Sequence, residues 1–227
     1  MAKRNRLLAS GNLQLQEIEP LTKNQLKAFE SDKHLVLHGV AGTGKTFISC
    51  YLAFDDILKN EFSSLVIIRS AVPTRDIGFL PGNEEEKKDA YTGPYRSAFT
   101  ELFEDPEAWE KLKNSHKVEF LSTSFIRGMT LQNSVVIIDE MQNLNFHELD
   151  SVITRIGQNC KFIMCGDYYQ SDFDKERDKN GILKFLEIIE QLRNFEVIEF
   201  TWEDIVRSDF VRDYIMTKEM LEKDGKI

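Results

Sequence analysis

The chain has 227 residues, 41% of them hydrophobic and 30% charged, which is ordinary for one large domain that buries a real core. A formal charge of −9 argues against the broadly basic footprint of a nucleic-acid protein, although a local basic patch is compatible with an acidic whole. No apolar run approaches the roughly 20 residues that span a bilayer, and Leu7-Leu8-Ala9 is too short for the apolar part of a secretory signal, so no membrane partner and a cytoplasmic location are expected.

Residues 1–20 lack periodicity and read as an N-terminal arm. Thr22-Lys-Asn-Gln25 reads as a capping box opening a short helix through Phe29. His34–His38 is a buried strand, and a helix over 44–59 follows it. Ser64–Arg69 is a second apolar strand. A charged stretch with Gly and Pro, about 70–116, reads as an irregular and partly helical insertion projecting from residues 21–227 as a single domain. Val118–Leu121, Val135–Ile138 and Phe162–Cys165 are further apolar runs, with a helix at about 145–156 between the last two. Phe195–Phe200 and a helix from about Ser208 complete the pattern. Strands apolar on both faces, alternating with helices, predict an α/β fold with a mostly parallel sheet covered on both sides. Cys50, Cys160 and Cys165 lie in apolar stretches and read as free thiols, and the four scattered histidines match no zinc spacing.

Gly39-Val40-Ala41-Gly42-Thr43-Gly44-Lys45-Thr46 satisfies G-x-x-x-x-G-K-[ST] between a buried strand and a helix. In such a loop, backbone N–H groups and the helix N-terminus hold the phosphates, Lys45 reaches the β/γ oxygens and the Thr46 hydroxyl ligates Mg²⁺. Phe47, the next residue, is grouped with the nucleotide-binding set. Val135-Val-Ile-Ile-Asp139-Glu140 ends a strand in two carboxylates at the same edge of the sheet, with Asp139 expected to hold Mg²⁺ through water and Glu140 the group that orients or deprotonates water. Gly166-Asp167-x-x-Gln170 ends a further strand. Its functional reading has Gln170 bonding the γ-phosphate or the water; its plain reading is a turn capped by Asp167. Together these residues predict an ATPase that uses ATP and Mg²⁺. A P-loop kinase fits less well, because an acceptor hydroxyl would replace the water that Glu140 serves.

These elements in this order resemble helicase superfamily one, and their surroundings resemble more closely the PhoH-like family of phosphate-starvation-inducible P-loop ATPases. The resemblance rests on Gly42–Thr46, Arg69-Ser-Ala-Val72, Gly78-Phe-Leu-Pro-Gly82, Arg127-Gly128 with Thr130-Leu131, Asp139-Glu-Met-Gln-Asn143, Thr154-Arg-Ile-Gly157, Gly166–Gln170 and Asp204-Ile-Val-Arg207, and covers about 22–215. It implies a RecA-like P-loop core assembled as a homo-oligomeric ring, often a hexamer, acting on RNA. Members of the family can carry an added nuclease or RNA-binding domain, for which this chain has no room. Met141 stands where the family usually has Ala, and Ser208 where His is common; neither removes a catalytic group.

A lone RecA-like core lacks the arginine that a helicase's second lobe supplies, so a neighbouring subunit would have to provide it. Arg207 and Arg155 are the candidates, against a plain reading as surface ion pairs. Gln25 either reads the adenine edge, as the resemblance suggests, or serves only the helix cap. Arg69, Arg75, Lys87, Lys88, Tyr91, Tyr95 and Arg96, with Arg127, mix cations and aromatics as a single-strand site does. Tyr91 and Tyr95 at i, i+4 equally fit one packed helix face, and the same stretch fits a subunit contact. Two functions follow: a helicase or translocase subunit on single-stranded RNA or DNA, or an ATP-driven regulatory or adaptor protein that binds a protein partner.

Overall fold

The computed structural model describes residues 7–8, 12–70, 84–126, 128–167 and 176–223. In chain order the elements are β1 (Leu7–Leu8), β2 (Leu13–Gln14), α1 (Lys23–Glu30), β3 (His34–Gly39), α2 (Lys45–Leu58), β4 (Ser64–Arg69), α3 (Glu84–Phe103), α4 (Ala108–Asn114) and β5 (Val118–Ser122). They continue with β6 (Ser134–Ile138), α5 (Phe146–Ile153), β7 (Cys160–Gly166), α6 (Glu176–Glu190), β8 (Phe195–Phe200) and α7 (Asp209–Lys223). Six strands form one sheet in the order β5-β4-β6-β7-β3-β8, and each neighbouring pair is parallel. This is the α/β fold with a parallel sheet that the alternation of strands and helices predicts. Among the described residues no helix is long and apolar enough to cross a membrane.

Strand residues alternate between two cores, because successive side chains leave opposite faces of a sheet. Leu35, Leu37, Leu65, Ile67, Val135, Ile137, Ile163 and Cys165 meet α2, α3 and α4 on one face. Val36, Val66, Ile68, Val136, Ile138, Phe162 and Met164 meet α5 and α6 on the other. Both faces are therefore covered, which is why these strands read as unbroken apolar runs rather than as alternating ones.

Two expectations need correcting. The described part of the 70–116 stretch does not project: α3 and α4 put Tyr95, Phe99, Leu102, Phe103, Trp109 and Leu112 into the first core. Phe54 of α2 meets Phe99 and Phe103 edge-on, each at a centroid distance of 5.0 Å. The described part of the arm, 7–8 and 12–20, is not a free tail either. Leu8 and Leu13 pair across β1 and β2, Leu13 and Leu15 are buried, and the Gln16 N–H donates to the Leu102 carbonyl at 2.8 Å. Leu13-Gln14-Leu15 alternates with period two, and the apolar positions cover the edge of the helical layer. Helix α6 is an addition to the predicted elements, and Ile182, Phe185, Leu186 and Ile189 supply its buried stripe.

Gly39 closes β3 at φ 111°, and a Cβ there would lie 2.1 Å from the Phe200 carbonyl oxygen of β8. That oxygen accepts the Val40 N–H at 3.0 Å, so the close approach is what ties the start of the phosphate loop to the edge strand. Gly39→Ala is expected to cost roughly 2 kcal/mol or more, from the left-handed backbone and the overlap together. Its urea midpoint should fall well below that of the unmodified protein; an unchanged midpoint would show that the loop can move away from β8 freely.

A candidate nucleotide site at the carboxyl edge of the sheet

β3, β4, β6 and β7 all run toward one edge, and each delivers a polar group there: the loop after Gly39, Arg69, Asp139-Glu140 and Asp167. α2 opens at this edge with Gly44 in the left-handed region at φ 80°, which directs the first turn of the helix back over the loop. Gly42 (φ 77°) lies under the Arg207 side chain and Ile215. Val40 and Ala41 are half-buried in the loop, Thr43 is buried, and Phe47 packs partly against the first core.

Lys45 folds back into this loop. Its ammonium donates to the Gly39 and Val40 carbonyls, each at 2.7 Å, and to Thr43 Oγ1 at 3.3 Å, which uses all three of its hydrogens. Burial pushes its pKa below the ordinary lysine value, and nearby Asp167 and the Cys165 thiol pull it back up. Thr46, the next residue, donates its hydroxyl to Asp139 Oδ1 at 3.1 Å. Asp139 is buried, and its other oxygen accepts the Tyr95 hydroxyl at 2.6 Å.

Glu140 adopts a left-handed backbone (φ 52°, ψ 46°) that swings its side chain away from the strand direction. Burial, with Asp139 beside it, raises its pKa above the usual glutamate value, and Arg69 and a hydrogen bond from Gln142 oppose that shift. The Gln142 amide donates to Glu140 Oε2 at 2.6 Å, and its carbonyl accepts the Asp167 N–H at 3.0 Å. Gln142 thus couples the ends of β6 and β7. A Cβ on Gly166 would fall 2.3 Å from that carbonyl, so glycine is what admits the bridge. The sequence contains this residue within Asp139-Glu-Met-Gln-Asn143, but nothing in the spacing reveals which strand it reaches.

Gln25 serves the helix cap only in part, and its side chain turns to the phosphate loop. Its backbone N–H donates to Thr22 Oγ1 at 3.3 Å, while its side chain accepts from the Leu21 N–H at 2.8 Å instead of closing the box onto Thr22. The same amide donates to the Thr43 carbonyl at 3.0 Å, so Gln25 buttresses the phosphate loop. Arg207 also sits on its own loop, anchored by the Val206 N–H to the Gly42 carbonyl at 3.1 Å, with its side chain exposed. Arg155 is elsewhere. Its carbonyl accepts the Leu131 N–H ahead of β6, at the amino edge of the sheet and the far end of the strand from Asp139. Gly157 packs its backbone on Leu131 and Gln132 there, which gives Thr154-Arg-Ile-Gly157 a structural duty.

The single-strand candidates separate as well. Tyr95 is fully buried and cannot stack on a base. The Arg96 guanidinium is 2.7 Å from Glu110 and lies over the Trp109 ring at 5.6 Å. Arg69 is mostly buried, with its guanidinium 3.9 Å from Glu140 and 5.8 Å from the Tyr91 ring centroid, so it faces the carboxylates. Gln170, Arg75, Arg127 and Gly78–Gly82 lie outside the described residues, as do the Lys87 and Lys88 side chains.

The model of the family described as "PhoH-like protein" matches residues 17–219. A PhoH-like protein from Synechocystis sp. is 33% identical over 88% of this chain and 61% of its own length. Protein PhoH from Escherichia coli K12 is 32% identical over 81% of this chain and 52% of its own. The chain therefore spans little more than half the length of these relatives. Among solved structures, the large terminase of a thermophilic bacteriophage aligns with 86% of this chain and 50% of its own, at 14% identity and a TM-score of 0.49, too slight a likeness to bear on function. The loop, the paired carboxylates and the family match agree: this chain belongs to the PhoH-like family.

Proposed function

We propose that this chain is a cytoplasmic, Mg²⁺-dependent ATP phosphohydrolase. The observation that carries the reading is the Thr46 hydroxyl 3.1 Å from the Asp139 carboxylate, with Glu140 following it at the mouth of the phosphate loop. The donor set fits Mg²⁺, which takes hard oxygen ligands and is held by one or two protein groups together with phosphates. Thr46 and Asp139 would hold the ion, which when bound neutralises charge on the β and γ oxygens.

The remaining work falls to the chain. Lys45 exchanges its loop carbonyls for phosphate oxygens, and the loop N–H groups with the α2 N-terminus hold the β-phosphate. Glu140 accepts the proton of the attacking water. Gln142 keeps Glu140 in register with Asp167, and Gln170, three residues further on, is proposed to sense the γ-phosphate. The proposal extends to a homo-oligomeric ring, a hexamer in its fullest form, in which Arg207 or Arg155 completes a neighbour's site. Arg207 borders the phosphate loop of its own chain, whereas Arg155 stands at the opposite edge of the sheet.

For the coupled partner we propose single-stranded RNA or DNA, supported by the helicase-type Gly166-Asp-x-x-Gln170 element and its bridge to Glu140. The adaptor reading is favoured by a specific observation: Tyr95 and Arg69 are turned into the molecule, and Arg96 is held in a surface pair with Glu110, rather than offered to a strand. Steady-state ATPase assays with and without single-stranded RNA and DNA, at low and high salt, separate them. Stimulation that fades with salt supports the polymer. A flat rate supports the adaptor, and absent turnover under every condition sinks both.

A further inference from the structure

Asp139 is gripped from two helices. α2 supplies Thr46 to one carboxylate oxygen, and α3 supplies Tyr95 to the other. The two helices are locked to each other through Phe54 with Phe99 and Phe103, so the donors cannot drift apart independently. The Tyr95 contact, at 2.6 Å, has the length of a charge-assisted O–H···O⁻ bond. Its ring is packed beside Trp109 and Phe120, with centroids 6.4 and 5.9 Å away, and is fully buried, which holds the hydroxyl against Asp139.

We propose that Tyr95 is a positioning residue for the metal-binding carboxylate. The proposal rests on the ATPase reading above and adds a residue from outside the phosphate loop and the strand ends. The terminal torsion of an aspartate is soft and has no sharp rotamer of its own. A carboxylate held only by Thr46 can therefore swing about that one contact. With Tyr95 occupying Oδ2, the plane of the group is set, and its remaining lone pairs keep one direction toward the mouth of the loop. Partners of this kind, which orient a ligand without touching the metal, typically change metal affinity or activity about 10- to 100-fold when removed. Tyr95 is also a point at which α3 touches the carboxylate directly, so a displacement of α3 at Tyr95 is transmitted to Asp139.

The test uses the full chain and a fluorescent ADP analogue titrated with Mg²⁺, alongside steady-state turnover. Tyr95→Phe should raise half-saturating Mg²⁺ about tenfold or more, leave the analogue's affinity in EDTA within about twofold of the unmodified protein, and regain most of its turnover at high Mg²⁺. Phe120→Leu, which loosens the same packing but keeps the hydroxyl, should lower the melting temperature and leave half-saturating Mg²⁺ within about twofold. Half-saturation unmoved beyond that margin for Tyr95→Phe would overturn the inference, as would an equal shift in Phe120→Leu. If the unmodified protein binds the analogue identically with and without Mg²⁺, the metal reading itself fails, and that failure is visible before any variant is compared.

Discussion

Lys45→Ala is expected to lower ATP turnover at least about 100-fold, the scale on which a fixed donor to developing transition-state charge is felt. The lysine is the first residue of α2, where alanine is an excellent helix former, so the helix has no reason to fray. What disappears is a cation preorganised in a half-buried loop. The carbonyls of Gly39 and Val40 lose their donor, but in a partly open loop water replaces it, and the melting temperature should move little. Nucleotide affinity should fall less than turnover does. In the resting protein the ammonium already has three partners, and binding a phosphate means giving them up. Turnover measured beside equilibrium binding of a fluorescent nucleotide checks both halves; retained hydrolysis would remove Lys45 from the site.

Glu140→Gln separates binding from hydrolysis. The amide keeps the length of the side chain and can still accept the Gln142 hydrogen bond, yet it cannot take a proton from water. A proton-transfer group of this kind contributes about 10²- to 10⁴-fold, so turnover should fall about 100-fold while ATP still binds. The raised pKa of Glu140 sets two further expectations. The base works only when ionised, so the acid limb of the turnover profile should lie above the ordinary glutamate value and vanish in the variant. For stability, the folded protein holds a proton that the unfolded chain has released. The corresponding stability is complete below the unfolded pKa and is lost as pH rises through the folded one. At neutral pH the half-buried charge is a burden, and Glu140→Gln should melt slightly higher than the unmodified protein. Equal turnover in the variant would exclude Glu140 from the mechanism.

Much of the molecule is legible in the chain because its physics is local. Six apolar runs give the six central strands, since a strand covered on both faces has no polar position to spare. The glycines of the phosphate loop announce themselves by backbone need, and Asp139-Glu140 by ending a strand. The relations across the sheet are harder. Tyr91 and Tyr95 at i, i+4 suit a stacking platform and a packed face equally well, and only the position of α3 against β6 decides. Tyr95 goes inside, to Asp139; Tyr91 goes under Arg69. Arg155 looks like Arg207 in sequence, each a lone cation after apolar residues, but the two stand at opposite edges of the sheet. The α6 stripe of Ile182, Phe185, Leu186 and Ile189 is present in the sequence, but the polar run that precedes it masks where a helix would begin. Leu13 and Leu15 form too short a pattern to distinguish a packed edge from a tail.

The strand order also dictates when the site can exist during synthesis. β3 carries the phosphate loop, yet both of its neighbours come late: Leu35 lies opposite Ile163 of β7 and Glu196 of β8. Until Gly166 has left the ribosome, β3 has no sheet partner at all, while β4, β5 and β6 can already pair among themselves. The oldest of the six central strands to emerge is thus among the last to be seated. Nucleotide cannot act as an early folding template, and the nascent loop waits, with its apolar strand uncovered, while the chain from β4 through β7 is made. Pairings so distant in sequence make for slow folding, and β3 is the segment that a chaperone would have most reason to shield.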